Sequence, residues 1–171
     1  MMLTENQTTD KSLSALVKNS AAYNAWANKQ LIGFLQTKPI ELMDKEVSSS
    51  FPSIRLTLIH IWECQKFWLL TIKGEAFVKE EFTGSTEELF DRVLANSEEF
   101  SNYISALAEQ TLQEDCEITT PWFSSNFAVF EYVQQVVIHS TYHRGQIITI
   151  GRQLGFTDAP MTDYNLYNIV K

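Results

Sequence analysis

The chain has 171 residues, 44% of them hydrophobic and 12% aromatic, which suits one cooperative core that needs no cross-links. A formal charge of -8 excludes an extended phosphate-binding surface, because its 13 lysines and arginines are scattered singly among 21 acids. No secretory leader or bilayer-spanning run is legible: Met1 to Gln7 is polar overall, and the most apolar stretches hold Glu63, Lys66, His139, His143 and Arg144. The expectation is a cytoplasmic protein with neither a nucleic-acid nor a membrane partner. Cys64 and Cys116 have no closely spaced thiol partner and fit a reducing compartment.

After a polar tail over residues 1–11, Leu13, Leu16, Val17, Ser20, Asn24, Ala27, Leu31 and Phe34 recur at steps of three and four. This spacing predicts a first helix from about Ser12 to Gln36. Thr37-Lys38-Pro39 ends it, because the residue before a proline is pushed out of helical conformation, and a loop follows through Pro52. Ser53 is placed to cap a second helix with Leu56, Ile59, His60, Glu63, Phe67 and Leu70 on its stripe, stopped by Gly74.

Ser85 and Glu88 have the spacing of a capping box and open a third helix that carries Leu89, Val93, Phe100, Ile104 and Leu107 to about Gln110. The helical period lapses between about Thr111 and Asn126, an irregular or partly extended crossover in which a short hairpin has weak support. A fourth helix runs from about Phe127 to Leu154 with Val129, Val133, Val136, His139, His143, Ile147 and Ile150 inward. Gly155 suits the left-handed position that ends it. Four long helices with one short and two longer connections imply an all-α four-helix bundle, forming a single domain, whose sites are built from inward side chains of facing helices.

His139 and His143 lie one turn apart on one strip of the fourth helix, and His60 lies on the inward stripe of the second. If the rings converge, they offer a neutral three-imidazole face for a divalent metal, with remaining positions open to water or substrate. Three unrelated core or rim histidines are the alternative. That reading must explain the i, i+4 pair, the inward placement of all three and the absence of any other histidine.

Glu63 and Gln146 fall about one turn from the proposed ligands and are candidates to orient a ring or a bound water, although Glu63 equally suits a surface ion pair. Arg144 is read as a rim residue able to attract an anionic thiol or carboxylate. Gly145 costs about 1 kcal/mol relative to alanine inside a helix, which suggests close approach of another backbone or a dimer contact. Asn24 and Trp26 read as packing. Cys64 is a secondary ligand candidate, with a small buried thiol favoured.

The run His139-Ser-Thr-Tyr-His143-Arg144-Gly145-Gln146 closely resembles the H-x-x-x-H-R-G-Q signature of the DinB/YfiT-like metalloprotein family. Tyr23-Asn24-Ala25-Trp26-Ala27-Asn28, Leu58-Ile59-His60-Ile61 with Trp68-Leu69, Arg152-Gln153-Leu154-Gly155 and Asp163-Tyr164 extend the likeness over nearly the whole chain. The resemblance implies a four-helix bundle with a crossover connection and a homodimer. It also implies a divalent cation (zinc, nickel or iron foremost) held by His60, His139 and His143 with a fourth position open. Its members with assigned activity point to a transferase that uses a low-molecular-weight thiol on a small-molecule electrophile. A hydrolase using activated water and a nonenzymatic metal- or small-ligand-binding module are the alternatives.

Overall fold

The computed structural model describes residues 12–171, so the polar tail over residues 1–11 lies outside the described residues. The elements follow as α1 (Leu13–Leu35), α2 (Ile54–Ile72), α3 (Thr86–Ala106), a short α4 (Glu109–Gln113), a hairpin of β1 (Asp115–Thr119) and β2 (Ser124–Ala128), α5 (Val129–Gln153) and α6 (Tyr164–Val170). The fold is all-α apart from the hairpin.

Three long helices begin on a serine. Ser12 and Ser53 accept from the amides of Ala15 and Leu56 at 3.1 Å. Ser85 exchanges bonds with Glu88 in the predicted capping box. Each satisfies first-turn amides that the helix cannot pair itself. α5 lacks such a side chain; the amide of Val129 instead donates to the carbonyl of Glu114 at 3.0 Å, so the hairpin caps the helix that carries two of the histidines.

The boundaries differ from expectation in three places. α3 stops at Ala106, where Leu107 turns extended, and the residues expected to continue it form α4. The weakly supported hairpin exists, with Asp115 opposite Ala128 and Thr119 opposite Ser124. α6 was not anticipated; it buries Tyr167 against Tyr23, Ala27 and Val137.

α1 lies beside α3 and α5, and α2 lies beside the same two, so α1 and α2 stand on one diagonal of the bundle. Two apolar clusters fix the directions. One joins Leu31 and Leu35 of α1 to Leu58 of α2, Phe90 of α3 and Ile150 of α5; the other joins Val17, Leu69, Phe100 and Val133. α1 and α5 therefore run one way, α2 and α3 the other.

Parallel neighbours cannot be joined by a tight turn, so the link from α2 to α3 must climb the bundle. Residues 73–85 do this as a strap laid antiparallel along α2. Phe77 meets Phe67, Lys79 meets Glu63, Phe82 meets Trp62, and the Gly84 carbonyl accepts from Arg55 at 2.5 Å. The connection read as the short one is thus the crossover.

Between the apolar clusters lies a polar layer that ties all four long helices. Arg144 donates to Asn24 and Asn28 at 2.7 and 2.8 Å, Asn24 donates to Gln65, and Gln65 donates to Asn96 and Ser97. Gly145 has nothing within 4 Å of where a Cβ would sit, so the close approach expected there is absent within the chain. Of the glycines inside helices, Gly151 is the one under pressure, since its Cβ would lie 3.1 Å from the ring of Phe156. Gly155 has a φ of 90°, the left-handed end predicted for the helix.

Candidate metal centre

α2 and α5 are antiparallel neighbours, and their facing strips bring the three histidines together. The Nε2 atom of His139 lies 3.1 Å from Nε2 of His60 and 3.1 Å from Nε2 of His143. The His60 and His143 rings are 4.5 Å apart between centroids. An ion about 2.0–2.1 Å from each nitrogen holds its ligands about 2.9 Å apart at adjacent octahedral positions and about 3.4 Å apart in a tetrahedron. The observed spacing falls between these values, so the donor set fits a divalent cation.

Two of the rings are also in the protonation state that a metal needs. Burial lowers the His60 pKa from 6.5 to about 4, helped by the positive influence of His143 and Lys79; burial with His143 and His60 does the same to His139. Both are neutral near pH 7, as lone-pair donation requires. Nδ1 of His143 donates to Oε1 of Gln146 at 2.6 Å, which leaves its Nε2 free to face the cluster. Phe51, from the loop before α2, stacks on His60 at 4.3 Å and meets the edge of His143. Sequence reasoning missed Phe51; its only local signal was an aromatic residue just ahead of the helix cap.

These shifts set a pH dependence for the metal-free protein. Between pH 6.5 and about 4 the unfolded chain takes up protons on His60 and His139 that the folded chain refuses, so this share of stability is complete above 6.5 and declines as pH falls through the window. Denaturant midpoints measured at about pH 7.5 and 4.5 should fall less in a His60→Gln, His139→Gln double variant than in wild type; equal falls would contradict the assignment.

Cys64, one turn beyond His60, places Sγ 3.7 Å from both ring nitrogens of His60 and forms a candidate metal-binding cluster with His60 and His139. A tetrahedral ion with a sulfur bond of about 2.3 Å spaces sulfur and nitrogen about 3.6 Å apart, so the thiol also has ligand geometry. Burial, reinforced by Glu63, pushes its pKa to about 11 and keeps it protonated. The imidazoles, already neutral, are the readier donors.

Of the other sequence candidates, only Gln146 touches a histidine ring. Glu63 faces Lys79 of the strap at 3.6 Å, and no carboxylate joins the cluster among the described residues. Arg144 is not at the rim: it is 3% exposed, burial lowers its pKa, and its guanidinium is engaged by Asn24, Asn28 and Thr141. It faces α1 while its neighbour His143 faces α2. Asn24 belongs to the polar layer, Trp26 packs on Tyr167 at 5.5 Å, and Cys116 lies in β1.

A family model described as the DinB family matches residues 2–170. The chain belongs to the DinB family. It is similar to "Protein DinB" of Bacillus subtilis (strain 168), with 34% identity over 158 residues that cover 85% of this chain and 89% of that protein. The family match over residues 2–170 spans both helices that bear the histidine rings. Among the described residues of this DinB protein, no helix is long and apolar enough to cross a membrane.

Proposed function

We propose that this protein is a divalent-metal-dependent transferase that moves a low-molecular-weight thiol onto a small electrophile, with His60, His139 and His143 as the metal ligands. The observation that carries the reading is the meeting of three Nε2 atoms, 3.1 Å from His139 on either side, with no carboxylate among them. A cation there stabilises a thiolate relative to its thiol and so supplies a strong nucleophile at neutral pH. Gln146 fixes the tautomer of His143, and Phe51 stacks on the face of His60 and meets the edge of His143. The thiol sulfur bonds to the electrophilic atom, the leaving group departs with its electron pair, and the thiol proton passes to solvent.

Zinc, nickel and iron all accept imidazole donors, and the donor set alone does not separate them. Among the described residues no carboxylate is placed to take a proton from water, which favours transfer to a thiol over hydrolysis. The same reading takes the protein as a cytoplasmic homodimer, consistent with two free cysteines and with exposed Ile138 and Tyr142 beside Gly145 on the outer face of α5.

The test mixes zinc-loaded protein with a panel of thiols and haloalkane or haloarene electrophiles. Wild type and Cys64→Ser should consume both substrates well above background, whereas His143→Ala should fall to background. Equal rates for wild type and His143→Ala across the panel would overturn the reading, and thiol-independent turnover with solvent oxygen in the product would make it a hydrolase.

A further inference from the structure

On α2, His60, Cys64, Phe67 and Thr71 are spaced by four, three and four residues, so all fall within about 60° on one face. The first two belong to the histidine cluster. The last two form one wall of a hollow of about 510 Å³, whose opposite wall is the hairpin from Glu117 to Trp122 and whose third side is the strap at Phe77 and Lys79. Phe67 stands about 10 Å along the helix axis from His60, at a rise of about 1.5 Å per residue. Cluster and hollow are therefore two stations on one track.

The hollow has aromatic walls at Phe67, Phe77 and Trp122, set among polar residues. Phe67 and Phe77 meet edge to face at 5.4 Å, and Trp122 is 81% exposed, a large ring contributing little burial to the fold. That wall is nonetheless held in place: Trp68 of α2 stacks on Phe123 at 6.1 Å and on Tyr132 at 5.2 Å, pinning the hairpin beside Trp122. Lys79, paired with Glu63, marks the side toward the cluster, whereas Glu75 and Glu117 also line the hollow and oppose an anionic occupant. Its volume lies in the range of small-molecule sites.

We infer that this hollow seats a neutral aromatic group of the substrate, whose reacting atom stands at the histidine cluster about two helical turns away. The inference rests on the metal–thiol reading for the reacting end and on the hollow alone for the aromatic end, so the two are tested separately. In cobalt(II)-substituted protein, thiolate binding is read from the charge-transfer band, comparing 4-phenylbutane-1-thiol with butane-1-thiol. The aryl thiol should bind about tenfold tighter. Trp122→Ser, and more fully Trp122→Ser with Phe77→Ala, should erase that advantage while leaving butane-1-thiol unchanged.

Equal affinity of the two thiols for wild type would overturn the aromatic site. No band with either thiol would instead overturn the metal–thiol reading, and the hollow is then judged by 2-naphthol fluorescence in metal-free protein. Saturable binding below about 1 mM that is lost in the double variant supports the site; the absence of saturable binding refutes it.

Discussion

His139→Ala should release essentially all metal from the protein, the largest effect expected of any single substitution in the cluster. Its Nε2 is the pivot, 3.1 Å from each of the other two, so its loss leaves His60 and His143 without the nitrogen between them. Replacing a group that merely orients a ligand weakens metal binding by about 10- to 100-fold, and loss of the ligand itself should exceed that range. Gln146→Ala, which keeps all three rings and removes only the acceptor on His143 Nδ1, should fall inside it. Elemental analysis and competition with a chromophoric chelator measure both. A full equivalent of metal retained by His139→Ala would falsify the ligand set.

The second large effect is on stability. Arg144→Ala leaves the amide oxygens of Asn24 and Asn28 buried without their donor and opens a void in the layer that joins the helices. Bonds from a charged donor contribute about 1.5–3 kcal/mol each, but removing a buried charge that has no carboxylate partner among the described residues recovers part of its desolvation cost. The net loss should be about 3 kcal/mol, which for a chain of this size lowers the melting temperature by about 6–12 °C. Arg144→Lys keeps the charge but not the planar fork, so it should recover only part of this. A melting temperature for Arg144→Ala within a degree or two of wild type would show that the layer closes over the vacancy or fills it with water.

Much of the fold was legible because the bundle writes its packing into the sequence at steps of three and four. The serine caps at Ser53 and Ser85, the stop at Gly155 and the inward turn of all three histidines follow from that period and from local backbone chemistry. What lacked a period was lost. The strap has no repeat of its own, since it runs extended along α2 and is specified by pairs such as Lys79 with Glu63 and Phe82 with Trp62 that only the folded chain brings together. The hairpin buries one residue of β1, Ile118, and so shows almost no alternation.

Arg144 was misplaced for a different reason. α5 is buried on a broad arc that includes both Val136–His143 and Val137–Ser140–Arg144–Ile147–Gly151, and a charge within such an arc reads as surface until its partners on another helix are known. Those partners, Asn24 and Asn28, lie 120 and 116 residues away along the chain. Gly145 shows no close approach within the chain, whereas Gly151, six residues further along α5, meets Phe156.

His60 and His139 are 79 positions apart, and α5 follows every other long helix. A nascent chain still tethered before Val129 carries one imidazole of the three, and that one belongs to a bundle still missing a quarter of its walls. In the proposed reading, ion capture therefore waits on the synthesis of α5, because until then the chain offers one ring of the three.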